Sequence, residues 1–257
     1  MVGPEFASTF LKIGHAEEQL KLYLGELRTW IDGKPYVVSK KVNVEIGRHT
    51  VTLDIVHPPP LDRWSLIAGD CVHNLRSALD HLVYALAIRD SGKNPPPNGG
   101  DLQFPIVIKP EKWADNRDRR LSHLNPTSQA KIERVQPYNR GHKYLPPLLA
   151  LLGHFDNADK HRLLNVTSWH TVGGDVRIQC DGSTPKIYTL KTPIHSGTEA
   201  IMFFESSDPN VSYDYDPAFE ITISHHQGPS GEHVSSLKYI LEVLIAEVKD
   251  VVRFIVL

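Results

Sequence analysis

The chain has 257 residues, with 28 Lys and Arg against 30 Asp and Glu and a formal net charge of -2. Charges this evenly balanced exclude a general electrostatic drive toward nucleic acid or anionic membranes, so any such binding must come from a local patch. The apolar share of 40% is enough for a packed core, and the most apolar run, Leu237 to Leu257, is broken by Lys238, Glu242, Glu247, Lys249, Asp250 and Arg253, which excludes a membrane span there.

The N-terminus lacks the basic, apolar and small-residue succession of a signal peptide, and Met1 to Phe6 reads as an irregular start such as a cloning scar leaves. Ser8 is placed to cap a first helix in which Phe10, Ile13, Leu20, Leu24, Leu27 and Ile31 recur at three- and four-residue steps until Asp32-Gly33. Val42, Val44 and Ile46, a turn at Gly47-Arg48, and then Val51, Leu53 and Ile55 predict a β-hairpin. Pro58-Pro59-Pro60 breaks the strand and delivers the chain to a central helix running from Leu61-Asp62 to about Arg89. On a wheel of about 100° per residue, Cys71, Val72, Leu75, Ala78, Leu79, Leu82, Val83 and Leu86 share one side. The opposite side carries Asp70, His73, Asn74, Arg76, Ser77, Asp80, His81 and Tyr84. It lacks the Lys and Glu of an idle surface, which predicts a polar interior or a cleft.

Ser91 to Pro147 reads mostly as connection, with a short strand at Phe104 to Ile108 and a short helix from Thr127 to Val135; so long a stretch either covers a site or moves. Between Lys109 and Lys143 it holds nine Lys or Arg against four acids, interleaved with Trp113 and Tyr138, the one basic patch in the sequence. Pro146-Pro147 suits the first turn of a helix from Leu148 to Leu163. Its wheel puts Asp159 in the middle of the core side, where a carboxylate needs a partner. The candidates are Arg162, Arg76, His73 and His81, and an earlier end near Asp156-Asn157 would leave Asp159 capping a turn.

Five strand-like runs follow, Leu164 to Val172, Val176 to Cys180, Lys186 to Leu190, Ala200 to Glu205 and Phe219 to His225. Turns at Gly173-Gly174, Gly182-Ser183, Gly197 and Pro209-Asn210 punctuate them, as in an antiparallel sheet. A last helix places Val234, Leu237, Leu241, Leu244, Val248, Val251 and Ile255 at alternating three- and four-residue steps, suited to packing along the first helix in the same molecule or in a second copy; a homodimer through the terminal helices is the expectation. The reading is a single α+β domain over residues 1–257, with helices at about 8–32, 61–89, 146–163 and 232–257, an N-terminal hairpin and an antiparallel sheet at about 164–226. Cys71 and Cys180 read as buried thiols rather than a disulfide framework, which points to a reducing, cytoplasmic setting.

Spacing argues against a metal. His73 and His81, like His154 and His161, are separated by about 10–12 Å of helical rise, and adjacent His225 and His226 point to opposite faces of a strand. No CxxC, HExxH or EF-hand loop occurs, so neither a metal nor another cofactor is expected. A GxSxG nucleophile elbow is also missing.

Arg76-Ser-Ala-Leu-Asp-His81, an Arg and a His flanking four residues on a helix, resembles the motif of the HEPN superfamily, helical bundles that in many members cleave RNA without metal and in others bind nucleotides or pair. The wider pattern, His73-Asn-Leu-Arg-Ser-Ala-Leu-Asp-His81 with Asp159-Lys-His-Arg162 downstream, is also similar to bacterial proteins of no established function. The first resemblance implies His81 as acid/base at the ribose 2′-hydroxyl or leaving oxygen, Arg76 as phosphate clamp, Asp159 and His161 as orienting residues, and the basic loop as guide for an RNA strand. Ser77 departs from it, because HEPN motifs often carry a larger polar residue straight after the Arg, and so does the extensive sheet. Positions five apart on a helix differ by about 140°, so Arg76 and His81 act together only through a kink, long reach or a two-fold dimer. The alternatives are a non-catalytic module for a small molecule or protein, its polar helix face a structural network in which Arg76 pairs with Asp80, and, least favoured, a hydrolase whose metal is held by scattered His and Asp.

Overall fold

A computed structural model describes residues 3–140, 147–171, 176–179, 187–189, 198–206, 211–215, 218–226 and 232–257. Cys180 and the turns at Gly173-Gly174, Gly182-Ser183, Gly197 and Pro209-Asn210 lie outside them. The helices are α1 (Ala7–Asp32), α2 (Leu61–Ser91), α3 (Trp113–Arg120), α4 (Pro126–Arg134), α5 (Leu148–Asp159) and α6 (Leu237–Val256). α2 is the axis. Its apolar side, from Cys71 through Leu75, Leu79 and Leu82 to Leu86, is fully covered, and Gly92 ends it at a left-handed φ of 68°, its N–H bonded to the Ile88 carbonyl at 2.8 Å.

α1, α5 and α6 all pack on α2. In α6, Leu237, Leu241, Leu244, Val248, Val251 and Ile255 are buried against α1, α2 and α5 of the same chain, and Lys249 bonds Glu17 of α1 at 2.7 Å. The terminal helices therefore meet within one molecule. None of the described helices is long and apolar enough to cross a membrane.

The hairpin is β1 (Tyr36–Asn43) and β2 (Arg48–Ile55). It starts earlier than its apolar alternation suggests, because Val44 and Ile46, 74% and 57% exposed, lie in the turn. The other strands are β3 (Val166–Thr171), β4 (Val176–Gln179), β5 (Ile187–Thr189), β6 (Thr198–Glu205), β7 (Ser212–Tyr215), β8 (Ala218–His226) and β9 (Glu232–Ser236). They divide among three antiparallel sheets, ordered β1-β2-β6-β5, β3-β8-β9 and β4-β7. Residues 232–236, read from the sequence as the start of the last helix, thus form a strand that pairs with β8, and Val234 is half-exposed on it.

Two apolar clusters result. The larger joins the helices to Val166, Ile221 and Ile223 of the three-stranded sheet. The smaller holds Val51, Leu53, Ile201, Met202, Phe204 and Val211. Between them Trp30 packs edge-on to Trp64 at 6.0 Å and to Phe219 at 5.1 Å, and Phe219 reaches Tyr36 at 5.3 Å.

One expectation, the strand at Phe104 to Ile108, needs correction. Phe6 is 2% exposed, with the Arg89 guanidinium 5.9 Å from its ring, so this residue is built into the core. The connection after α2 is anchored too, burying Phe104, Val107, Leu121, Leu124 and Ile132. Phe104 to Ile108 forms no strand because side chains take its backbone bonds: Asp80 accepts from the Phe104 N–H, Arg76 donates to the Phe104 carbonyl, and Gln136 accepts from the Val107 N–H.

Candidate functional site

The polar side of α2 is graded. Asn74 and Arg76 are 8% and 7% exposed, Ser77, Asp80 and His81 half-buried, and Asp70, His73 and Tyr84 exposed. Arg76 is its centre: one terminal nitrogen, Nη2, lies 3.0 Å from Asp80 Oδ1 and donates to the Phe104 carbonyl at 2.8 Å. Asp80 Oδ1 in turn accepts the Phe104 N–H at 2.8 Å, so both peptide groups of one residue are pinned by one ion pair. The other terminal nitrogen, Nη1, is buried and among the described residues has no acceptor. A charged donor left so is costly, typically about 1–3 kcal/mol or more.

Arg76 lines a cleft of about 530 Å³ whose wall also includes Gln103, Arg120, His154, Asp156 and Lys160. Three cations thus face one carboxylate. Burial first, then Arg119 and Arg76, push Arg120 below its ordinary pKa, against the pull of Asp80. Asp80 is shifted upward by burial first and by Asp156, against the pull of Arg76, the Phe104 N–H and Arg120.

Asp156, not Asp159, is the buried carboxylate of α5, at 4% exposure. Its Oδ1 lies 3.3 Å from His73 Nδ1 and its Oδ2 accepts from Lys160 Nζ at 2.6 Å. When Nδ1–H donates to this carboxylate, the neutral imidazole is fixed with Nε2 unprotonated and able to accept a proton, and Arg76 lies one turn further along the same helix. Asp159 is half-buried against Gly69, where an added Cβ would collide with its carboxyl group. Burial, Asp70 and Asp156 raise its pKa, and His73 opposes them. The two polar segments do meet, through Gly69 and Asp159 and through His73 and Asp156.

None of His73, His81 and His161 lines the cleft, and only His73 is tied to it, through Asp156. Burial and then Lys12 of α1 lower the pKa of His81, against Asp80; among the described residues no hydrogen bond or ion pair joins it to Arg76. His161 is exposed, past the end of α5. The basic connection contributes Arg120, but Trp113 is 6% exposed and Tyr138 donates its hydroxyl to Glu133, so neither ring is free to stack on a strand. Cys71 is an inert thiol, pushed up to about 12 by burial. Among the described residues no group of His, Cys, Asp and Glu is arranged to hold a metal ion. Sequence reasoning singled out none of Asp156, Arg120 and Lys160 individually; the available signals were the i, i+4 spacing of Asp156 and Lys160 and, for Arg120, the basic run from Lys109 to Lys143. No protein-family model, no curated protein and no solved structure matches this chain.

Proposed function

We propose that the chain binds the phosphate of RNA or a nucleotide in the Arg76 cleft, in the manner of the HEPN proteins that Arg76-Ser-Ala-Leu-Asp-His81 resembles, and cleaves RNA there without a metal. The observation that carries the reading is that Arg76 lines a cleft with Arg120 and Lys160 while its buried Nη1 has no acceptor among the described residues. A phosphate oxygen supplies the missing acceptor, and the three cations offset its charge and the charge that builds on it during cleavage. In this reading the acid/base role implied for His81 passes to His73. Held by Asp156, His73 takes the proton of a ribose 2′-hydroxyl through Nε2, while the 2′-oxygen bonds to phosphorus, the bond from phosphorus to the 5′-oxygen breaks, and that oxygen takes a proton from solvent.

A structural reading competes, favoured by the two bonds of Arg76 Nη2, which tie the 104 segment to α2. Binding and cleavage of a short RNA in EDTA, for the native chain, Arg76→Lys and His73→Ala, separates the two. The proposal expects Arg76→Lys to weaken binding at least tenfold, about 1.4 kcal/mol, and His73→Ala to lower cleavage by about 100-fold or more with binding kept. RNA that neither binds nor is cut leaves the structural network as the account.

A further inference from the structure

Beside the phosphate cleft lies a second one, of about 460 Å³, between the start of α2, the end of α5 and the edge formed by β3 and β8. His154 lines both. We propose that the two form one groove for a single-stranded oligonucleotide, the phosphate resting on Arg76 and the adjacent nucleoside in the second cleft. This rests on the phosphate reading and names the ligand class that goes with it.

The second cleft has the two kinds of surface a base needs. Leu61, Leu164 and Val166 supply an apolar wall, and Asp62, Asn165 and Arg162 stand around it with donors and acceptors for base edges and a cation for the next phosphate. The wall is pre-formed, because buried Ser65 donates its hydroxyl to the Leu164 carbonyl at 2.6 Å and the Ser224 N–H bonds the Asn165 carbonyl at 3.0 Å. A preorganised wall spares a ligand the cost of ordering it. The cations also run in sequence: Lys160 belongs to the first cleft and Arg162, exposed two residues later, to the second. A mononucleotide fills only one of these positions. A strand with two successive phosphates uses both.

The test compares 2′-O-methyl adenosine 5′-monophosphate with the 5′-phosphorylated 2′-O-methyl dinucleotide, neither of which offers a free hydroxyl beside an internucleotide phosphate, by calorimetry in EDTA. The groove predicts that the second nucleotide tightens binding about tenfold or more. It also predicts that Arg162→Glu, an exposed change checked by circular dichroism, abolishes that gain, so that the variant binds the dinucleotide no more tightly than it binds the mononucleotide. Mononucleotide binding with no gain from the second nucleotide, or a gain that survives Arg162→Glu, overturns the groove and leaves the phosphate reading standing. Failure of both probes to bind overturns the two together.

Discussion

Two residues expose what this fold tolerates without local compensation. His49 is fully buried on β2, stacked on Phe204 with ring centroids 4.9 Å apart, and among the described residues neither of its ring nitrogens has a partner. Replacing such a group with an apolar one of similar size removes the unmet hydrogen bonds without opening a large cavity, so His49→Leu should raise stability by about 1 kcal/mol, read as a higher urea midpoint at unchanged slope. A lower midpoint would show that the ring is satisfied in solution. Asp159 makes a prediction about pH. Its folded pKa is raised, so the native state binds more protons than the unfolded one, and stability falls as pH rises from the ordinary carboxylate value through the raised one. Asp159→Asn should therefore raise the melting temperature at pH 7, with the gain closing as pH drops below about 3.8. A gain that persists at low pH would mean that charge is not its cause.

At the scale of elements, the Asp159 side chain of α5 reaches α2 where a side chain is missing. Gly69 sits inside a helix, where glycine costs about 1 kcal/mol relative to alanine, and the carboxyl group of Asp159 occupies the space its Cβ would take. Gly69→Ala should displace the end of α5, and Gly69→Ala combined with Asp159→Ala should recover the loss, with a coupling of about 1–3 kcal/mol in a double-mutant cycle. Additive effects would deny the contact. The same contact marks where the sequence is readable. The polar side of α2 stood out because it lacks Lys and Glu, and Asn74 and Arg76 are indeed buried there. On α5 the wheel fixed the apolar side but not its final rotation, so Asp159 seemed central while Asp156 is the carboxylate that packing buries. Arg120 was hidden for another reason: α3 carries little apolar periodicity, and tertiary contact alone brings it to the cleft.

For the whole molecule, helices announced themselves better than strands. Long three- and four-residue apolar spacing located α1, α2, α5 and α6. The hairpin's union with β6 and the pairing of β4 with β7 carry no local signal, because they join residues far apart in the chain, and β9, beside β8, is short and polar with Val234 as its one apolar residue. The consequence is a helical body whose α2 and α5 hold the cleft and a sheet body joined to it through Trp30, Phe219 and Tyr36. The account as a whole depends on an anion belonging beside Arg76. Crystals soaked in tungstate, a heavy phosphate mimic, would locate it by anomalous scattering. The account predicts a peak in the cleft with an oxygen about 3 Å from Arg76 Nη1, lost in Arg76→Lys; an empty cleft in crystals that bind tungstate elsewhere would contradict it.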